Sequence, residues 1–197
     1  MRIITFQRKE VLDLLLENGE YCLKDRANMR TLNHFTWKNG AGFNTFHEVY
    51  GYIMDRMKKR IDPIDYDESI VGPIWGWYRY ADMEELINDN QGLWRIELEI
   101  DEKKVLLSDF DYYENVAIAG LDFIFNGNDK TARAIEAKAK EEGVEAIYAC
   151  YDKMIGPWHI ARGKWIQATF WKLKKEEIVS YAPVEKREKP KKEGPCI

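Results

Sequence analysis

Apolar residues recur every three or four positions in two stretches of the first third of the chain, and this period predicts amphipathic helices. The first helix is predicted over 9–18, with Gly19 where a left-handed glycine ends a helix. The second is predicted over 45–61, because Thr45-Phe46-His47-Glu48 has the form of a capping box. Further helices are predicted over 83–89 and 129–142.

Alternation of apolar and polar residues, or short runs of β-branched and aromatic residues, predicts the strands. The clearest case is 93–100, where Trp94, Ile96 and Leu98 alternate with charged residues. The other strands are predicted over 2–7, 73–80, 104–108, 144–150 and 165–173. Most of them do not alternate with crossover helices, which favours an α+β fold with antiparallel sheets.

The 197-residue length predicts one globular domain over 1–182. Lys, Glu, Pro and Gly dominate 183–197, which is typical of a charged flexible tail. Hydrophobic residues make up 45% and charged residues 32%, so a wholly disordered chain is excluded. A net charge of −4 argues against a strong nonspecific grip on nucleic acid.

The three cysteines are widely spaced and lie in no metal-binding motif. They fit reduced thiols, and we expect a cytoplasmic location. We expect no structural metal. No apolar run has the roughly 18 residues that a membrane span needs, so no membrane association is predicted.

Aromatic residues reach 13% of the chain and concentrate around Trp75 and Trp77. Large rings of this kind pack a core, and they also form stacking walls for planar ligands such as nucleobases or nicotinamide. Both interpretations stand at this stage.

The sequence contains none of the common nucleotide-binding or hydrolase motifs: GxGxxG, GxxxxGK[ST] and GxSxG are absent. Asp109 and Asp111 lie two residues apart and would share one face of a strand, where they could hold a divalent cation. With Glu102 they suggest a metal-dependent nuclease. The alternative is that these carboxylates are solvated residues at a strand end.

Four motifs resemble an uncharacterised bacterial family known only as a domain of unknown function. They are Thr5-Phe6-Gln7, Pro73-Ile74-Trp75-Gly76-Trp77, Leu107-Ser108-Asp109-Phe110-Asp111 and Ile166-Gln167-Ala168-Thr169-Phe170-Trp171. The resemblance spans about residues 3–180 and implies no activity.

The order of the same segments resembles the ADP-ribosyltransferase fold, in particular the DarT-type enzymes that modify DNA. Its markers are Arg2-Ile3-Ile4-Thr5, Leu16-Glu17-Asn18-Gly19, an arginine six residues after Pro73, and Gln167-Ala168-Thr169. This resemblance implies a split antiparallel β core with flanking helices and NAD as cofactor.

The ADP-ribosyltransferase resemblance also implies a set of site residues. The catalytic positions are Arg79, Gln167 and Thr169, and the cofactor-binding positions are Thr5, Gln7, Trp75, Trp77 and Asp109. Thr169 stands where those enzymes carry a catalytic glutamate, so a charge that stabilises the transition state is missing there. Gln167 is expected to hydrogen-bond a ribose hydroxyl, and all these residues are expected to line one cleft.

Three functions follow from these observations. The first is an ADP-ribosyltransferase-like protein that binds NAD and has nucleic acid or protein as acceptor. The second is a noncatalytic module on the same fold that binds a nucleotide or nucleic acid. The third is the metal-dependent nuclease.

Overall fold

An antiparallel sheet of six strands forms the centre of the fold, seen in a computed structural model that describes residues 1–24, 42–110, 141, 152 and 163–185. The strands of this part of the chain are β1 (Arg2–Gln7), β2 (Glu20–Tyr21), β3 (Ile74–Arg79), β4 (Trp94–Glu99), β5 (Leu106–Asp109), β6 (Ile166–Phe170), β7 (Leu173–Lys174) and β8 (Ile178–Pro183). The sheet order is β5-β6-β3-β1-β4-β8, and β2 pairs with β7 separately. All pairings are antiparallel.

Three α-helices lie in the described residues: α1 (Lys9–Asn18), α2 (Gly42–Arg60) and α3 (Met83–Asp89). Gly19 ends α1 as predicted, with a φ of 81° and its N–H donated to the Leu15 carbonyl oxygen at 3.0 Å. The predicted start of α2 is wrong, because the helix begins at Gly42 and Thr45 therefore lies inside it.

The first core lies between α1 and one face of the sheet, which we call the α1 face. Leu12 and Leu15 of the helix pack there against buried side chains of the strands. These side chains include Ile3, Ile74, Ile96, Leu98, Ala168 and Phe170. Burial of these apolar groups supplies the main driving force for packing the helix against the sheet.

The second core lies between α2 and the opposite face, which we call the α2 face. Ile53, Met57 and Ile61 are buried as the helical period predicted. They cluster with Leu106, Trp171 and the partly buried Trp75, among others. Both faces of the sheet are thus covered around β6, and all five residues of β6 are buried.

The α+β class, the antiparallel sheet and the flanking helices are confirmed. The resemblance implies a β core split into two sheets. In the described residues, six strands pair in one continuous sheet, and the second sheet has two strands of two residues each. The sequence patterns missed β8, which runs to Pro183. Val184 follows it and is buried, exchanging hydrogen bonds with Gly92 and Leu93.

Several predicted segments lie outside the described residues. They are the strand 144–150, the helix 129–142 apart from Glu141, and the tail from 186 onward. No helix in the described part of the chain is long and apolar enough to cross a bilayer.

Candidate functional site

Strand register divides the expected site residues between the two faces of the sheet. Directly opposed residues of an antiparallel pair share a face, and successive residues of one strand alternate. Ile4 lies opposite Trp77, Trp77 opposite Gln167, and Gln167 opposite Ser108. These four residues form one line across β1, β3, β6 and β5 on the α2 face, which we call the cross-sheet row.

The next line on the α2 face runs through Trp75, Thr169 and Leu106. Thr169 is fully buried there, and its hydroxyl donates to the Leu106 carbonyl oxygen at 3.2 Å. The structure therefore brings Trp75, Trp77, Gln167 and Thr169 together, but it places Thr169 beneath the surface with its hydroxyl already used.

Thr5 and Gln7 lie on the α1 face, because Ile4, the residue before Thr5, shares the α2 face with Trp77 and successive residues alternate. Gln7 Nε2 donates to Thr5 Oγ1 at 2.8 Å, and Thr5 Oγ1 donates to the Trp75 carbonyl oxygen at 2.6 Å. The Thr5 hydroxyl therefore links β1 to β3, and the Gln7 side chain donates to that hydroxyl from within β1. A ligand stacked on the tryptophans would be separated from both by the sheet.

Arg79 and Asp109 meet Gly163 at the end of the sheet where β6 begins. A β-bulge between Trp77 and Arg79 shifts the register, so that Arg79 lies opposite Ile166, the residue that also pairs with Asp109. Arg79 Nη1 donates to the Gly163 carbonyl oxygen at 3.1 Å. A β-carbon at Gly163 would overlap with the ends of the Asp109 and Ile166 side chains, so a larger residue there would displace both.

The rings around the cross-sheet row form an aromatic group. Trp77 makes edge-to-face contacts with Phe110 at 5.1 Å and with Trp165 at 5.5 Å between ring centroids. All three rings are partly exposed. Such rings offer flat apolar surfaces next to the polar ends of Gln167 and Ser108.

Two buried polar atoms of the cross-sheet row have no hydrogen-bond partner among the described residues. They are Gln167 Oε1 and Ser108 Oγ, on side chains that are 7% and 1% exposed. Buried polar atoms are nearly always paired, so a site that leaves two neighbouring oxygens without partners points to a missing group. The sequence patterns missed Ser108; its signal is a hydroxyl between Leu106 and Phe110 on the buried face of a strand.

Two of the carboxylates proposed for a metal, Glu102 and Asp109, do not come together. Glu102 lies in the 3₁₀ turn before β5, whereas Asp109 ends that strand, and Asp111 lies outside the described residues. The part of the chain that the structure describes contains no group of three or more His, Cys, Asp or Glu side chains able to hold a metal ion.

A separate ionic cluster joins the short turns at the opposite end of β5 and β6. Asp65 contacts Lys174 at 2.6 Å and Lys104 at 3.3 Å, and Lys104 reaches Glu177 at 3.4 Å. Burial raises the pKa of Glu177. Burial alone would also raise the pKa of Asp65, but hydrogen bonds from both lysines outweigh it and lower that pKa. The cluster joins the 3₁₀ turns Pro63–Asp65, Glu102–Lys104 and Lys175–Glu177 to β7.

The fold and the cross-sheet row together define an α+β protein with a helix on each face of an antiparallel sheet and an aromatic, polar cluster on one of them. The chain belongs to the family described as a domain of unknown function (DUF3841), whose model matches residues 2–179. No curated protein and no solved structure matches it.

Proposed function

We propose that the chain binds a nucleotide on the α2 face of the sheet, beside Trp77, and that NAD is the ligand. The observation that carries the proposal is the placement of Gln167 directly opposite Trp77, with a buried Oε1 that lacks a partner among the described residues. A flat aromatic surface beside an unused hydrogen-bonding group is the combination that planar, polar rings require. The ADP-ribosyltransferase resemblance supplies NAD as the nucleotide.

Arg79 is the positive group of the proposed site. It follows Trp77 by two positions, about 7 Å along a strand, but the β-bulge between them places it opposite Ile166 and so on the α1 side at the end of the sheet. A ligand on the α2 face would reach it around that end. Its side chain is exposed, and its guanidinium group donates to the Gly163 carbonyl oxygen at the end of the sheet. A guanidinium group binds phosphate oxygens through two parallel N–H bonds, so a diphosphate extending from the row toward Gly163 would reach it.

The proposal is for binding, and transfer of ADP-ribose by Thr169 is not part of it. Thr169 is fully buried and its hydroxyl is bonded to Leu106. The cross-sheet row continues past Ile4 to Glu97 of β4, but this carboxylate lies two strands from Trp77 and is paired with Arg95 at 3.0 Å. A positioned base contributes typically about 10²–10⁴ in rate, and the described residues directly opposite Trp77 and Gln167 supply none. This favours the noncatalytic module over the transferase.

Isothermal titration calorimetry with NAD tests the binding proposal. We expect the wild-type chain to bind NAD, and Trp77→Ala to weaken binding by about tenfold or more, because stacking on one ring contributes about 1–3 kcal/mol. Arg79→Ala should also weaken it. Tyr181→Ala is the matched control, since this exposed ring lies on β8, paired with Ile96 on the α1 face.

Two results would contradict the proposal: no NAD binding by the folded wild-type chain, or equal affinities of the Trp77 and Tyr181 variants. Circular dichroism of each variant establishes that it is folded. Incubation with labelled NAD and mixed nucleic-acid and protein acceptors tests transfer separately. If the wild-type chain transfers label to an acceptor and Arg79→Ala abolishes this labelling, the transferase function is favoured over the noncatalytic module.

A further inference from the structure

Ser108 and Gln167 are adjacent on the α2 face, and each contributes one oxygen without a partner among the described residues. Both side chains are more than nine-tenths buried. Directly opposed residues of an antiparallel pair have β-carbons about 5 Å apart, so one small polar group between them would reach both oxygens. This pair belongs to the proposed site but was not assigned a joint role by either resemblance.

We infer that Ser108 and Gln167 together recognise a neutral amide group on a planar ring of the ligand. The inference rests on the proposed function and deepens it by naming the chemical class that the row selects. In NAD this group is the carboxamide of the nicotinamide ring. The ADP-ribosyltransferase resemblance implies a ribose hydroxyl as the partner of Gln167 instead.

The chemistry of the two side chains selects an amide. The Gln167 Oε1 atom only accepts hydrogen bonds, whereas the Ser108 hydroxyl both donates and accepts. An amide presents an N–H donor and a carbonyl acceptor side by side, which satisfies both oxygens at once. A carboxylate has no donor for Gln167 Oε1, and its charge would be buried in an apolar site.

The surroundings favour a ring over a sugar. Trp77 and Phe110 lie at the row with their rings 5.1 Å apart, and Trp77 also contacts Trp165. Flat apolar surfaces bind the faces of an aromatic ring, while its amide edge reaches the polar pair. The ring of Trp77 is partly exposed, and the inference requires the ligand to reach the pair from solvent beside this ring.

The test compares NAD with nicotinic acid adenine dinucleotide, which carries a carboxylate in place of the carboxamide. We expect the wild-type chain to bind NAD at least about tenfold more tightly than the acid, because a buried hydrogen-bonding site rejects an analogue that leaves it unpaired. Ser108→Ala and Gln167→Met should each reduce this preference to about threefold or less. Ser180→Ala on β8 and Gln91→Met, before β4, are the matched controls and should keep it.

The outcomes separate the two proposals. If NAD binds and Trp77→Ala weakens it, but Ser108→Ala and Gln167→Met leave the preference unchanged, the pair holds solvent or packs the core, and this inference is wrong while nucleotide binding stands. A wild-type preference below about tenfold also overturns it. Binding of neither dinucleotide overturns both proposals. If Gln167→Met does not fold, as judged by thermal unfolding, Ser108→Ala alone decides.

Discussion

Thr5 and Trp75 are joined by a hydrogen bond of 2.6 Å although their side chains point to opposite faces of the sheet. The bond runs from the Thr5 hydroxyl to the backbone oxygen of Trp75, so it links the strands and not the two side chains. Residues that motif order places in one cleft are therefore divided by the sheet itself. Only the members on the α2 face remain as the candidate binding surface.

Thr169 is expected to act on stability and not on activity. Thr169→Val removes the hydroxyl that donates to Leu106 and should lower the free energy of unfolding by about 1 kcal/mol. Thr169→Glu places an uncompensated charge in the core and should lower it by more than about 3 kcal/mol. Urea denaturation of both variants measures this. A stable Thr169→Glu protein with increased NAD turnover would contradict the structural role.

Substitution of Gly76 and of Gly19 by alanine is expected to lower the free energy of unfolding, for different reasons. A β-carbon at Gly76 would lie 2.6 Å from Ile3 Cγ2 and 3.0 Å from the Ile4 backbone oxygen. Gly76→Ala should therefore lower the free energy of unfolding by about 2 kcal/mol through overpacking. Gly19 has open space around it but a φ of 81°, so Gly19→Ala should lower it by about 1 kcal/mol through backbone strain.

A smaller neighbouring side chain can relieve overpacking at Gly76, but it cannot relieve backbone strain at Gly19. Ile3→Ala removes the Cγ2 methyl group that a β-carbon at Gly76 would meet, and should reduce the effect of Gly76→Ala while leaving that of Gly19→Ala unchanged. A double-mutant cycle by thermal denaturation measures this coupling. Equal behaviour of the two alanine variants in the Ile3→Ala background would show that sterics at Gly76 are not the cause.

Asp65 is expected to make stability depend on pH. Its pKa is lowered in the fold by Lys174 and Lys104, against the effect of burial. A carboxyl group of this kind stabilises the fold above its unfolded pKa of 3.8 and loses that contribution as pH falls through the lower, folded value. Asp65→Asn should thus cost about 2 kcal/mol at neutral pH and progressively less below about pH 4.

The measurement for Asp65 is urea denaturation at several pH values, with Asp89→Asn as the same substitution on an exposed residue. The difference between wild type and Asp65→Asn should shrink on acidification. A difference that stays constant with pH would mean that the two lysines do not stabilise the ionised carboxylate.

Asp152 is expected to stabilise the fold through its contacts with α2. Its carboxylate accepts from the Tyr52 hydroxyl at 2.7 Å and contacts Arg56 Nη2 at 3.0 Å. Arg56 is 5% exposed and also pairs with Asp55, so removing the Asp152 charge leaves a buried cation with one carboxylate partner in place of two. Asp152→Asn should lower the free energy of unfolding by about 2–3 kcal/mol, and Tyr52→Phe by about 1 kcal/mol. Additive effects in the double variant would argue against the shared carboxylate.

The local elements were predictable because local patterns dictate them. The clean alternation over 93–100 gave β4, and the helical period with Gly19 gave α1. In contrast, β8 carries no clear period-2 pattern and lies beside a charged segment, and it is a strand because it pairs with β4. The two-residue strands β2 and β7 are too short to show a sequence pattern, and they are strands because they pair with each other.

The site was only partly predictable, for a physical reason. The sequence identified Trp77 and Gln167, and the register makes them direct neighbours. It did not show that Thr5 lies on the opposite face of the sheet, because the face on which a residue lies depends on the register of its strand with partners distant in sequence. Ser108 escaped notice because a lone serine in a strand becomes informative only when its buried oxygen is found beside Gln167.

A crystal structure of the chain with NAD tests the central claim most directly. We predict electron density for the nicotinamide ring against Trp77, with its amide edge between Gln167 and Ser108 and the diphosphate toward Arg79. Density on the α1 face beside Thr5 and Gln7, or a cross-sheet row closed and unchanged under saturating NAD, would contradict the account.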